Sequence, residues 1–324
     1  MYGVYKSTSI SEPLCSVMCP VCTSSVVQDR GALPQFCPYV FGGNKVGLLL
    51  EAGHLLHCFN CDLYFRHPYV TQSTLTALYE GLPPTVWQSH EARSYWPLVL
   101  ELMQRYSPNR VVMDVGCFAG DFLNWLPSGW HKFGVEPGVA AREFALARGI
   151  SLVGHTVENI HALPEPTGVI TLFDVLEHVI DPLAVLDNLR KLLPPRGSLI
   201  ILTGAADSLP WRIFGHNYWY CSLPEHVSFF TLKWFRWAAE HLGLSVEWFR
   251  YLSSEPGTFK QSLLNSLRLS AYALIRYLRQ SGIPEARLAR IPLLRKPAMW
   301  SSPPWWREAK DHILIVLSLR KTGL

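Results

Sequence analysis

Ten residues constrain this chain most: Val111 to Gly120, reading VVMDVGCFAG. Val111 to Val115 is a nearly all-apolar, β-branched run of the kind that forms a fully buried parallel strand, and Gly116 and Gly120 punctuate its exit. A helix over Asp121 to Leu126 follows. In a doubly wound α/β sheet the first strand-to-helix turn receives a nucleotide-like ligand, because glycines let backbone approach it and helix N–H groups face it. The DxGxxxG spacing places the Asp114 carboxylate two residues before the first glycine and lacks the GxGxxG of a pyrophosphate site. A carboxylate there suits a cationic ligand and repels phosphates.

Four further runs read as parallel strands with helices between them: Lys132 to Val135, Ile150 to Val153, Val169 to Phe173 and Gly197 to Leu202. The helices are predicted over Val139 to Arg148 and from Asp181-Pro182, an N-cap and a first-turn proline, to Leu193. Glu136 ends the second strand about twenty residues beyond the glycine turn, where an acid accepts hydrogen bonds from both ribose hydroxyls. Its other reading is a carboxylate capping the helix after Pro137 and Gly138. Downstream, Thr231 to Leu242 reads as a helix, with Leu244 to Leu252 and His312 to Leu319 as closing strands. Upstream, Gln88 to Tyr106 reads as an amphipathic helix carrying Trp96, Val99, Leu100 and Met103.

VVMDVGCFAG resembles motif I of class I S-adenosylmethionine-dependent methyltransferases, and LEHVxDP, from Leu176 to Pro182, closely resembles the segment after the fourth strand of their small-molecule members. The resemblance runs from about Trp87 to the C-terminus. It implies a doubly wound, mostly parallel seven-stranded sheet of Rossmann-like type, ending in an antiparallel pair, and S-adenosylmethionine as the cationic ligand. Asp114, Gly116, Cys117, Phe118, Gly120 and Glu136 would hold that cofactor, with Glu158 in the loop that contacts adenine. Phe118 stands where the family usually has glycine. By the switch-point rule Phe173, Asp174 and His178 border the sulfonium and its acceptor, and Tyr95 or Trp96 reaches the ligand from the preceding helix.

The stretch Trp211 to Phe230 is dense in aromatics and holds His216, Glu225 and His226. Methyl transfer to oxygen or carbon needs an aligned acceptor and a base, and Glu225, His226 and His178 are the candidates. Glu225-His226 is similar to a Glu-His pair in sugar C-methyltransferases, although Pro224 stands where those enzymes have a further histidine. Packing beneath an aromatic loop is the alternative for His226, as helix-end and core packing are for Glu177 and His178.

Four of the eight cysteines fall in two CxxC pairs, Cys19/Cys22 and Cys58/Cys61. Two such turns present four thiolates to one tetrahedral zinc, a structural site in which the metal supplies cohesion; the resembled sugar enzymes likewise carry an N-terminal four-cysteine module. His54, His57, Cys15 and Cys37 are spare ligands. A thioredoxin-like pair would need one CxxC in a βαβ setting. The expected organisation is a zinc-ribbon-like module over 1–68, a linker over 69–87 with a short helix from Thr74 to Tyr79, and a catalytic domain over 88–324 with a helical insertion at 255–310.

That insertion carries ten Lys or Arg against three Glu. Its helix within 258–282 has a wide apolar stripe flanked by Arg268, Arg276 and Arg279, as suits a lid over the substrate cleft or a peripheral membrane contact. The formal charge of +4 is modest for 324 residues and does not call for nucleic acid. With no signal-peptide core and no run long enough to span a bilayer, a cytoplasmic location is expected. The expected activity is therefore methylation of a small-molecule acceptor, a sugar, glycan-lipid precursor or natural-product intermediate, at oxygen or carbon. The alternatives are an RNA methyltransferase gripping phosphates with its zinc ribbon and basic insertion, and a non-catalytic zinc-dependent binding protein on a degenerate core.

Overall fold

The computed structural model describes residues 17–34, 40–41, 44–45, 53–69, 71–86, 91–160, 163, 165–253, 255–283, 287 and 303–320. The first elements are β1 (Val27–Ala32), β2 (Val40–Phe41), β3 (Asn44–Lys45), β4 (His54–Cys58), β5 (Tyr64–His67), α1 (Gln72–Glu80) and α2 (Trp96–Tyr106). Next come β6 (Val111–Val115), α3 (Asp121–Trp125), β7 (His131–Val135), α4 (Val139–Ala147), β8 (Ser151–Gly154), β9 (Val169–Phe173), α5 (Pro182–Arg190) and β10 (Ser198–Gly204). The chain closes with α6 (Leu209–Phe214), β11 (Ser228–Phe229), α7 (Leu232–His241), β12 (Leu244–Leu252), α8 (Phe259–Gln280) and β13 (His312–Leu319).

Seven strands form one sheet in the order β12-β13-β10-β9-β6-β7-β8. The five from β10 to β8 are mutually parallel, and β13 runs antiparallel to both β10 and β12. This is the doubly wound, mostly parallel sheet that the strand runs predict. Alternate residues of each strand feed opposite faces. Met113, Ile170, Ile201 and Ile315 pack with Val185, Leu186 and Leu189 of α5 and with Trp234, Phe235 and Ala238 of α7. Val112, Ile200, Leu202 and Leu314 pack on the other face with Trp96, Val99 and Met103 of α2 and with Phe122 and Leu123 of α3.

Two expectations need correction. The helix predicted from Gln88 begins at Trp96; residues 87–90 lie outside the described residues. Pro97 is the reason: it has no N–H to give to an earlier turn and disfavours helical backbone before it, so it fits only in the first turn. The short helix of the linker is longer than Thr74 to Tyr79, because Thr71 caps it, accepting from the Thr74 N–H at 3.3 Å.

The N-terminal module is joined to the large sheet's partners by backbone and by core. β1, β4 and β5 form an antiparallel sheet whose fourth strand, β11, comes from the segment after Glu225-His226. Leu56, Leu63 and Phe65 lie in the same apolar cluster as Trp234 and Phe235. Arg66, 2 % exposed, donates from Nε to the carbonyl of His226 (3.1 Å) and from Nη2 to those of Cys221 (2.7 Å) and Leu223 (3.0 Å). Its own N–H donates to the carbonyl of Val227 at 2.9 Å. A buried charge is tolerated only when it is so satisfied, and in return its side chain holds three carbonyls of the segment between Cys221 and His226.

Arg66→Met preserves bulk and strands three buried carbonyls, so the unfolding free energy should fall by about 3 kcal/mol. Chemical denaturation of the purified protein measures it, and an unchanged midpoint would mean that the loop is held without Arg66.

Candidate active site and cysteine cluster

The carboxyl ends of β6, β7 and β9 carry the expected cofactor residues. Backbone there is held in the left-handed region at Gly116 (φ +74°), Phe118 (+48°), Gly120 (+76°) and Asp174 (+54°). A Cβ on Gly116 would stand 2.7 Å from Val175 Cγ2, so Gly116 is required by contact as well as by φ, and Gly120 by φ. Phe118 occupies a conformation that costs a side-chain-bearing residue about 1–2 kcal/mol. Glu136 offsets that cost: its Oε2 accepts from the Phe118 N–H at 2.8 Å and its Oε1 from the Gly138 N–H at 2.7 Å. The predicted capping contact at Gly138 is therefore present, and it coexists with a second contact that ties the end of β7 to the glycine turn. Glu136 is buried; burial raises its pKa, opposed by these two N–H donors.

Asp114 is buried and accepts from Thr171 Oγ1 at 2.6 Å, bridging β6 and β9. Burial, aided by the charge of Glu136, pushes its pKa up to about 7. Cys117 is buried, with its sulfur 2.6 Å from where a Cβ on Gly134 would stand, so it packs on β7. Tyr95 and Trp96 are also buried; the Tyr95 ring meets Phe173 edge-on at 5.6 Å, and Phe173 meets Phe122 at 5.0 Å. Glu158 is exposed on a single 3-10 turn, Val157–Asn159.

Beyond β9 the structure assembles a buried acid-base array. Glu177, 1 % exposed, caps no helix. Its Oε1 accepts from the Tyr220 hydroxyl at 2.5 Å and its Oε2 from Thr203 at 2.8 Å. Burial and the Asp174 charge raise its pKa to about 7. His178 Nδ1 lies 3.1 Å from the Glu225 carbonyl, and His226 Nδ1 lies 3.1 Å from the Tyr220 carbonyl. A carbonyl only accepts, so both Nδ1 atoms carry the hydrogen, and each neutral ring keeps its lone pair on Nε2. The two rings are 4.8 Å apart, and one ligating atom from each of Glu177, His178 and His226 lies within 4.8 Å of the others. Burial lowers the pKa of both histidines, and His178 lowers that of His226 further. Both are therefore neutral at pH 7.

Several members of this array are missed by sequence reasoning. Tyr79, from the expected linker, meets His178 edge-on at 5.4 Å. His312 Nδ1 lies 2.8 Å from Asp311, whose other oxygen accepts from the Tyr218 hydroxyl at 2.6 Å. Burial alone would lower the His312 pKa, but Asp311 outweighs it and raises it to about 9. The resulting imidazolium stands 3.9 Å from Asp174 Oδ1, a buried oxygen with no hydrogen-bond donor, and Arg93 approaches Asp174 Oδ2 at 3.9 Å. The aromatics of the Trp211 to Phe230 stretch are largely core: Trp211, Tyr218, Trp219 and Tyr220 are buried together with Leu33 and Leu55.

The four cysteines converge. Cys19 and Cys61 sulfurs are 3.6 Å apart, Cys22 and Cys58 3.4 Å, and all four lie within 4.8 Å of one another. Tetrahedral zinc with Zn–S of about 2.3 Å sets sulfurs about 3.8 Å apart, so the cluster has the right size. The Cys61 thiol, donating to Cys19, brings Cys19 down to about 5, while burial pushes Cys58 up to about 11 and the Cys19 contact pushes Cys61 higher still. Four crowded sulfurs cannot all be thiolates without a cation. His54 and His57 stand with Asp29 and Asp62, each at 2.9 Å, and Cys15 and Cys37 lie outside the described residues.

A family model described as a methyltransferase domain matches residues 87–247. Ubiquinone biosynthesis O-methyltransferase of Sodalis glossinidius is 32% identical over 117 residues, 33% of this chain and 47% of that protein. The Vibrio cholerae protein of the same name is 35% identical over 100 residues, 28% of this chain and 41% of its own length. The chain thus spans about half the length of the curated relatives it matches. Among solved structures, an S-adenosylmethionine-dependent methyltransferase from Mesorhizobium loti superposes with a TM-score of 0.42 at 14% identity, covering 69% of this chain and 97% of that one.

Proposed function

Since residues 87–247 belong to the class I S-adenosylmethionine-dependent methyltransferases, we propose that the chain methylates a hydroxyl group of a small-molecule acceptor, with His226 as the base. The observation that carries this reading is the orientation of His226: Nδ1–H is committed to the Tyr220 carbonyl, the ring is neutral, and the lone pair is on Nε2. The matched relatives are named as O-methyltransferases, which favours oxygen over carbon as the acceptor atom.

The residues of the site fit the cofactor by polarity. Glu136 and Asp114 offer buried carboxylates, and Asp174 Oδ1 is a buried acceptor that receives no hydrogen bond. S-adenosylmethionine supplies an electrophilic methyl carbon carried on a sulfonium. Asp114 would favour that cation in its ionised form. His226 Nε2 would take the proton of the acceptor hydroxyl, whose oxygen is thereby made ready for the electrophilic methyl group that the bound cofactor would supply. His178, with its own Nε2 lone pair, stands beside it to orient the hydroxyl or relay the proton. Cys19, Cys22, Cys58 and Cys61 would hold one structural zinc, which fastens the β4–β5 hairpin and so the strand bearing Arg66.

His226→Asn should lower kcat by about 10²–10⁴-fold while leaving affinity for S-adenosylhomocysteine unchanged; the readout is S-adenosylhomocysteine release with a panel of phenolic and sugar hydroxyl acceptors. Because its pKa is depressed below 6.5, the base is already unprotonated there, and the acid limb of kcat/KM belongs below that pH. An unchanged kcat in the variant would make His226 a packing residue. For the metal, elemental analysis should return one zinc per chain in the purified protein and clearly less in Cys61→Ser, with a lower melting temperature after chelation. Zinc-free protein with an unchanged melting temperature would contradict the structural role.

A further inference from the structure

The stretch expected to be a linker sends one side chain into the site. Strand β5 ends at His67 and α1 begins at Gln72, so α1 follows the strand whose Arg66 holds the His226 loop. Tyr79 lies in its last turn. The carbonyl oxygen of Tyr79 is 3.4 Å from where a Cβ on Gly138 would stand, and Gly138 donates to Glu136 Oε1 at the cofactor turn. Its ring meets His178 edge-on at 5.4 Å and Phe41 at 5.1 Å. His178 in turn stands 4.8 Å from His226, ring to ring. One residue thus reaches from the Glu136 turn to the imidazole pair.

The Tyr79 ring lines a cleft and is not sealed in a core. It keeps accessible surface, yet burial and the charges of Glu225, Glu177, Glu136 and Asp174 hold its hydroxyl pKa well above the usual phenol range. Carboxyl groups from both halves of the site therefore act on one un-ionised phenol. Other aromatics nearby have separate tasks. Tyr95 and Phe122 pack on Phe173, and Tyr220 gives its hydroxyl to Glu177. A neutral aromatic ring attracts a cation through its electron-rich face, the more so where water is excluded.

The chemistry of the cofactor says what would pass this ring. In S-adenosylmethionine a single methylene separates the ribose from the sulfonium. A molecule whose ribose rests on Glu136 and whose methyl group faces His226 would carry its cationic centre through the interval that Tyr79 spans. We propose that Tyr79 reads the charge of the donor: its ring attracts the sulfonium of S-adenosylmethionine and gives no such attraction to the uncharged thioether of S-adenosylhomocysteine. This inference rests on the methyltransferase reading above and adds to it a residue that discriminates reactant from product. The same ring that favours entry of the charged donor favours release of the spent one.

Separate calorimetric titrations of S-adenosylmethionine and S-adenosylhomocysteine into the full chain, with no acceptor present, test this. The readout is the ratio of the two dissociation constants, because a ring that only fills space weakens both ligands alike. Tyr79→Leu should lower the preference for S-adenosylmethionine over the product by about tenfold, whereas Tyr79→Phe should retain it. Should Tyr79→Leu fail to fold, Tyr79→Phe with a fully fluorinated ring keeps the shape, reverses the quadrupole, and should lose the preference that Tyr79→Phe keeps. An unchanged ratio in well-folded variants would overturn this proposal alone, with the cofactor reading upheld by binding that Glu136→Ala weakens. No binding of either ligand to the folded wild type would overturn both.

Discussion

Strand β6 pairs in parallel with β7 on one side and with β9 on the other, and the chain leaves these strands toward opposite faces. After β6 it enters α3, whose Phe122 and Leu123 lie in one core; after β9 it reaches α5, whose Val185, Leu186 and Leu189 lie in the other. Where the two connections diverge, the carboxyl ends of β6 and β9 form the switch point at which sheets of this kind receive a ligand. Every unusual feature of the site follows from turning the chain sharply in that gap. Gly116, Phe118, Gly120 and Asp174 all take left-handed backbone there, and Glu136 uses its carboxylate to hold the tightest of these turns through the Phe118 N–H.

The second constraint is long-range. The residue after Cys61 is Asp62, which accepts from Thr231, the cap of α7, at 2.7 Å and faces Lys233 at 3.5 Å. Four residues further on, Arg66 holds the carbonyls of Cys221, Leu223 and His226. A metal bound by the cysteines would thus act on the loop of Glu225 and His226 through a few residues of one hairpin, and its binding would draw on the same folding free energy that orders that loop.

What could be read from the sequence was what is local or periodic. The buried strands at Val111 and Val169 stand out as apolar runs, the CxxC pairs by their spacing, and Asp181-Pro182 as a helix start; each reports chemistry within a few residues. The start of α2 was also legible, since Pro97 rules out a helix that begins at Gln88, but the apolar spacing of Trp96 to Met103 masked it. The role of Glu177 was not legible. Its donors Thr203 and Tyr220 are 26 and 43 residues away, and the partners of Arg66 are 155 to 160 residues away. His312, read as the first residue of a closing strand, is charged chiefly by Asp311 beside it in the chain, and the antiparallel register then sets that charge 3.9 Å from Asp174. Contacts of this kind leave no period in the sequence.

A cofactor seated at the carboxyl edge of β6, β7 and β9 would rest on the Glu136 turn. The most direct measurement is calorimetric titration of S-adenosylhomocysteine into the wild-type chain and into Glu136→Ala. Saturable one-to-one binding that the substitution weakens by tenfold or more, about 1.4 kcal/mol or above, is the predicted result. Absence of binding to folded wild-type protein, or equal affinity in both, would contradict it and would place the ligand elsewhere than at the Glu136 turn.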